Sequence, residues 1–357
     1  MINKQIISLT NQLISIPSTK DKPEEMKKVL QLAKKQLSGF TVELFEKNNS
    51  PSLLAYTSKT RPKKCKIILN AHLDVVPGKE SQYQPKIIDN KLYGRGAIDM
   101  KAAAAVQILI FKHLAKKVNY PLALQLVTDE ETGGFNGTKY QLDNKVKADF
   151  ALTGEATNLK IVSQSKGVIS LIIKAKGKTS HGSRPWEGKN ALNILIKAIN
   201  IITKKYPIPS KEVWKTTCNL AWIKTNNQTF NKVPDNAQAQ FDIRYIPQDK
   251  NKIIPQIKKL LPKGLKLIVN LNEPAQLTNP KNSYVIKLSQ AIKSTINKTP
   301  AVISQHGASD IRHFNSVNIN GVVFGPKGKG IHSDNEYVNI SSLKQYYLSL
   351  KQFLLNI

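Results

Sequence analysis

The chain opens with two stretches of helical periodicity. Over about residues 3–15, Ile6, Ile7, Leu13 and Ile14 fall on or near one face, and a second such pattern runs over about 23–37. Short strand-like runs follow: FTVELF, SLLAY and KIILNAHLDVV. The last is apolar and bounded by Lys66 and Pro77, as expected of a buried strand. An alanine-rich helix is predicted from about Met100 to Lys116. PLALQLVTDEE and ADFALTGEA then read as two more buried strands, both ending in acids. This alternation predicts an α/β fold: a mostly parallel sheet with helices on both faces. In such sheets sites gather beyond the carboxyl ends of the strands, where His72, Glu130 and Glu155 stand.

The pattern changes near Ser165. GVISLIIKAKGK alternates as an amphipathic strand. A helix over about 190–204, strands over about 213–223 and 236–245, another helix and GLKLIVNLN complete a strand-helix-strand-strand-helix-strand order. That order is the ferredoxin-like α+β pattern. From about Pro280 come a helix (283–296), the loop SQHGASDIRHF, a short strand GVVFG and a closing helix (341–355). At 357 residues the chain exceeds the usual span of one core. The expected organisation is a discontinuous catalytic domain of residues 1–165 and 277–357, with residues 166–276 inserted.

Composition changes this picture little. The formal net charge is +30, but only five of the 54 basic residues are Arg, leaving 49 Lys spread over the whole chain. A nucleic-acid groove would cluster Arg and interleave aromatics, which make up only 7% here. Weak, salt-sensitive attraction to polyanions is expected, with no specific nucleic-acid role. Cys65 and Cys218 have no partners at metal spacing and imply no disulfide framework, which fits a reducing compartment. The first residues lack the apolar core of a signal peptide, and no run approaches the ~20 apolar residues of a membrane span. The expectation is a soluble, cytoplasmic protein.

Acids and histidines recur in five short segments. In Ala71-His72-Leu73-Asp74, His72 could bind a metal while Asp74 holds its ring; equally, this is a strand end with a surface histidine. In Gly94-Arg95-Gly96-Ala97-Ile98-Asp99, the aspartate could be a ligand or simply the cap of the following helix. Asp129-Glu130-Glu131 sets three acids directly after a buried strand, and a divalent cation would best relieve their repulsion. Glu155 again follows a strand, and His332 lies in a glycine-flanked loop before the last helix; either alone could be a bland surface residue. Together they assemble two histidines and several carboxylates from a chain with only 24 acids. Nitrogen and oxygen donors of this kind suit zinc, with cobalt or manganese as substitutes. A carboxylate shared by two metals would give a binuclear site, where a bridging water becomes a nucleophile near neutral pH.

At this point the residues match a known family. The chain resembles the di-zinc deacylases and carboxypeptidases that include acetylornithine deacetylase, succinyl-diaminopimelate desuccinylase, aminoacylase and glutamate carboxypeptidase. NAHLDVVP, GRGAIDMK, TDEETGG and GEATN carry the resemblance, which runs in order from LISIPS to HSDNEYV. It implies two zinc ions per chain. His72, Asp99 and Glu155 would hold one, and Asp99, Glu131 and His332 the other, with Asp99 bridging. Glu130 would be the general base and Asp74 the residue that orients His72. The inserted domain would serve as lid and dimerisation domain. There His181, in HGSRP, would help hold the oxyanion, often from the partner subunit. Arg244 in FDIR, Asn231 in NKVPD and Ser309 in GASD match substrate-binding positions. One departure is visible: Ala102 follows Asp99-Met100-Lys101 where relatives usually have glycine, which should favour the helix.

The expected reaction is therefore hydrolysis of the amide bond of an N-acyl amino acid, of the acetylornithine or succinyl-diaminopimelate type. Within the family, glutamate at the Glu155 position tilts towards deacylases and carboxypeptidases. A metallo-carboxypeptidase or dipeptidase acting on short peptides is the alternative. A non-catalytic module of this fold would be expected to lose Glu130 or a ligand, and none is lost.

Overall fold

The computed structural model describes residues 2–357. It divides into two compact units: one of residues up to Ser163, Leu277–Ile303 and Ser309–Ile357, the other of Gln164–Gln276 and Ser304–Ala308.

The first unit is built on one sheet. Six neighbouring strands of this nine-stranded sheet run in the order Thr41–Lys47, Ser50–Tyr56, Leu122–Val127, Cys65–His72, Ala148–Thr153 and Asn320–Val323. The last four are mutually parallel, and the first two form an antiparallel hairpin at one side. The hairpin turns through Asn48 and Asn49, both at positive φ, which asparagine tolerates. Along Cys65–His72 the side chains alternate between two cores. Ile67, Leu69 and Ala71 pack under the helix Ala102–Leu114. Ile68 faces the opposite way, into the cluster of Ile311 and Phe314. His72 shares that second face. The helix Ala102–Leu114 is buried from Ala102 to Phe111 without a break. It lies between the sheet and the helices Ile2–Ile14 and Ile340–Leu355, which is why its sequence shows no polar stripe.

A second, small sheet matters for the site. Its strands are Gly328–Lys329, Tyr337–Asn339, Lys91–Tyr93 and Lys86–Ile88. Tyr337 pairs with Tyr93 and Val338 with Leu92, which joins the segment before Asp99 to the segment after His332.

The other unit is a four-stranded antiparallel sheet in the order Thr217–Lys224, Asn236–Tyr245, Gly167–Lys176, Lys266–Glu273. Ile169, Leu171, Ile173 and Ala175 point into its core, beneath the helices Ala191–Lys205 and Ile253–Leu260. The strand order is that of the ferredoxin-like pattern. Two details differ from the sequence reading. The strand expected from about 213 begins at Thr217, and Trp214 instead stacks edge-on against His306. Residues 304–308, expected with the catalytic domain, group with this unit: Gln305 O accepts from Lys166 N, and His306 Nε2 lies 3.1 Å from Glu212 Oε1. Among the described residues no helix is long and apolar enough to cross a membrane. Cys65 and Cys218 are buried and unpaired.

Candidate active site

His72 closes the strand Cys65–His72 and is only 1% exposed. Its Nδ1 lies 3.0 Å from the Asp74 carbonyl and 3.5 Å from Asp74 Oδ1, so the main chain holds the ring more closely than the carboxylate does. A donor at Nδ1 leaves the Nε2 lone pair free for a cation. The Asp74 carboxylate has further partners. It accepts the backbone N–H of Glu130 at 3.3 Å and of Glu131 at 3.0 Å.

Asp99 sits in the turn Ala97–Lys101, where it and Met100 leave helical dihedrals and join through a cis peptide. The helix that follows starts at Ala102 and has no side-chain cap, so Asp99 does not cap it. Its carboxylate instead faces two histidines. Oδ1 lies 3.2 Å from His72 Nε2, and Oδ2 lies 3.2 Å from His332 Nε2. His332 also lies 3.2 Å from Glu131 Oε2. Beneath the turn, the buried Lys101 ammonium donates to the carbonyls of Leu13 and Ile16, the end of the first helix.

Glu130 and Glu131 occupy a tight turn three residues beyond the strand Leu122–Val127. The turn is gripped at its far end as well. Gly133 O accepts from Arg312 Nη2 at 2.6 Å and from His313 Nε2 at 2.8 Å. Glu155 lies two residues past the strand Ala148–Thr153, and its Oε1 is buried with no hydrogen-bond partner. Donor atoms of His72, Glu130 and Glu155 lie within 4.8 Å of one another, as do those of His72, Asp99 and Glu131.

The electrostatics follow from this crowding. Burial, then the charge of Glu155, drives the Glu130 carboxyl well above its usual range. Burial lifts Glu131 to about 7, and burial with Asp99 lifts Glu155 to about 8. The histidines compensate in part. Burial disfavours the charged His72 ring, but hydrogen bonds to Asp74 and Asp99 outweigh it and raise the ring well above its usual range in the absence of a cation. His332 rises to about 9, chiefly through Asp99. A cluster of half-buried carboxylates crowded against one another, with one oxygen left unpartnered, fits a divalent cation. Carboxylate oxygens and imidazole nitrogens are the donor set zinc, cobalt or manganese accept.

A cavity of about 1000 Å³ opens beside Asp74 and Glu131, with Val75, Val76, Pro77 and Phe135 among its walls. Ser309, also in this unit, is buried, and its carbonyl accepts from Arg312 Nη1 at 3.0 Å, next to the grip on Gly133. The other expected site residues belong to the second unit. His181 is exposed, with Nδ1 2.7 Å from Ser183 Oγ, and its loop is tied to Asn231 by a bond from Gly182 N. Arg244 donates from Nε to Asp242 and lines a shallow pocket of about 290 Å³ with Lys166, Lys211 and His306. Arg244 pairs with Val168 and Asn236 with Lys176, so Arg244 and the His181–Asn231 loop lie at opposite ends of the sheet. Sequence reasoning missed Glu336, Arg312 and His313 as supports of the site. The scarcity of arginine was the available signal, since Arg95 bonds Glu336 beside the Asp99 turn and Arg312 grips the Glu130 turn.

Comparison with known proteins bears on this geometry. Residues 68–356 match the model of peptidase family M20/M25/M40. The succinyl-diaminopimelate desuccinylase of Pelagibacter ubique is 31% identical over 384 aligned residues, covering 98% of each chain. That of a Nitratiruptor species is 27% identical, covering 98% of this chain and 99% of its own. Among solved structures, aminopeptidase PepT of Bacillus cereus superposes with a TM-score of 0.83 at 19% identity, over 99% of this chain and 98% of its own. The metallo-carboxypeptidase Sso-CP2 of Sulfolobus solfataricus does so at 0.77 and 20%, over 98% of both chains. These likenesses agree on a mixed α/β fold with a mostly parallel central sheet, and the family and relatives mark a hydrolase of amide or peptide bonds. The chain belongs to peptidase family M20/M25/M40.

Proposed function

We propose that the chain is a di-zinc amidohydrolase that removes the acyl group from an N-acyl amino acid. The observation that carries this is the convergence of His72, Glu131 and Glu155, from the ends of parallel strands, with Asp99 and His332, from two loops, beside Glu130. His72, Asp99 and Glu155 would hold one ion, and Asp99, Glu131 and His332 the other, with cobalt or manganese as substitutes. Bound zinc supplies Lewis acidity towards the scissile carbonyl and lowers the pKa of the attacking water. Glu130 takes the proton from that water and passes it to the departing amine nitrogen. Its carboxyl is lifted above the usual range by desolvation and then by the charge of Glu155, which favours holding the proton between the two transfers. Asp74 steadies both ends of this step, through its carbonyl to His72 and its carboxylate to the amides of Glu130 and Glu131.

In this reading Arg244, Asn231 and Ser309 bind substrate, and His181 helps stabilise the oxyanion. The Arg244 pocket, with Lys166 and Lys211 beside it, favours an anionic group, in keeping with relatives that are desuccinylases. Eight residues of strand, about 27 Å, separate the ends that carry Arg244 and the His181 loop. One copy of this unit therefore cannot offer both to one small substrate, which supports a homodimer with the inserted unit as lid and dimerisation domain. Unpaired buried cysteines favour a cytoplasmic setting. A metallo-carboxypeptidase or dipeptidase is the second reading, favoured by the peptidase structures that share the fold. Turnover of a panel of N-succinyl and N-acetyl amino acids and dipeptides, with zinc or cobalt added, separates the two. Preferred cleavage of dipeptides would displace the deacylase reading.

A further inference from the structure

Glu336 lies four residues past His332 and is 1% exposed. A buried carboxylate is costly unless its oxygens are matched by charge and hydrogen bonds. Here the match is with one short stretch of chain. Oε2 accepts from Arg95 Nη1 at 2.9 Å and from Gly96 N at 3.0 Å. Oε1 accepts from Ile98 N at 3.0 Å and from Asp99 N at 3.2 Å. The segment 95–99 thus wraps around this carboxylate, with its amides turned inward as an anion-binding concavity. Gly96 makes the wrap possible: it has φ +81, and a Cβ there would stand 2.7 Å from Val75 Cγ1. The main chain adds to the joint, since Gly94 N donates to Glu336 O at 3.1 Å. Arg95 Nη2 lies 3.5 Å from the carbonyl of His332. The loop that carries His332 therefore moulds the turn that carries Asp99.

We propose that Glu336, paired with Arg95, is a positioning residue that fixes the Asp99 turn against the His332 loop and so sets how tightly Asp99 and His332 hold a divalent cation. The inference rests on the metal reading above. Glu336 touches no donor atom of the cluster; it acts through the amide of Asp99 and the small sheet in which Tyr337 pairs with Tyr93. Partners that orient metal-binding residues typically carry a ten- to hundredfold effect on affinity.

The test measures zinc affinity of the folded, chelator-stripped chain by competition with a chromogenic chelator, for wild type, Glu336→Asp and Glu336→Gln. Melting in chelator is measured in parallel. Glu336→Asp keeps the charge and shortens its reach, so it carries the test if Glu336→Gln does not fold. The expected result is a tenfold or greater loss of affinity for at least one ion in Glu336→Asp, with a folded apo chain. A purely structural role would lower the melting temperature and leave the affinity of the folded chain unchanged; that result overturns the inference. A wild-type chain that binds no zinc removes the metal reading itself, and the inference with it.

Discussion

Asp99 Oδ2 lies 3.2 Å from His332 Nε2, although the two residues come from distant parts of the chain. The other oxygen, Oδ1, lies equally close to His72 Nε2. One carboxylate therefore addresses two imidazoles, one through each oxygen. In the cation-free chain these imidazoles act as its counter-ions and, against the effect of burial, hold its carboxyl well below the usual range. The same placement suits a carboxylate shared by two metals. Asp99→Ala is predicted to cut bound zinc from two ions per chain to fewer than one. Elemental analysis of the dialysed variant checks this, and retention of two ions would refute a bridging role.

Glu130 is the residue whose loss should separate binding from chemistry. Glu130→Gln keeps size and hydrogen bonding but cannot accept the water's proton. A fall in kcat of about 10²- to 10⁴-fold is expected, the range for losing a general base. Zinc content should stay at the wild-type value. Loss of zinc in parallel with activity would make Glu130 a ligand instead, a role its nearness to His72 and Glu155 allows.

The stripped chain should respond to pH in a defined direction. Glu131 and Glu155 rise from an ordinary value of 4.5 to about 7 and about 8 on burial. Between those values the folded chain holds more protons than the unfolded one, so stability falls as pH rises. His332, raised to about 9, has the same sign above its ordinary 6.5. Lys101, pushed down to about 7 by burial, has the opposite sign but acts above pH 7. The melting temperature in chelator should therefore drop from about pH 5 to about pH 7. Saturating zinc should flatten the drop. A melting temperature in chelator that rises over this window contradicts the assigned protonation.

Gly134 tests the support beneath the turn that carries Glu130 and Glu131. It has φ +66, and a Cβ there would run into Asp310 Oδ1 and stand 3.0 Å from His313 Nε2. Gly134→Ala should destabilise the chain by more than about 1 kcal/mol, because both backbone and neighbours oppose it. Thermal unfolding measures this. An unchanged melting temperature would show that the Asp310–His313 wall yields freely.

The strands and helices were largely legible because each buried segment has a period of its own. Ile169, Leu171, Ile173 and Ala175 alternate and are buried on one side of their strand. The helix Ala102–Leu114 could be placed by its alanines, though its burial on all sides could not, since that depends on which helices cover it. The acids and histidines that cluster in the site were legible as a set: His72, Glu130, Glu131 and Glu155 stand at or just past buried strands, and Asp99 and His332 lie in glycine-flanked loops. Their supports were not. Glu336 in HSDNEYV looks like any surface acid until the turn 95–99 is seen folded around it. The sequence points to Asp74 as the partner of His72, and besides facing that ring its carboxylate accepts from the amides of Glu130 and Glu131, which the sequence does not reveal. Bonds to backbone amides leave no mark in side-chain patterning, so only the folded geometry reveals them.

The most direct test of the account is a zinc titration of the chelator-stripped chain, with hydrolysis of an N-succinyl amino acid as the readout. The account predicts no activity without metal and a rise that saturates at two zinc ions per chain. Activity that persists undiminished in excess chelator, or no hydrolysis of any N-acyl amino acid or dipeptide at saturating zinc, would contradict it.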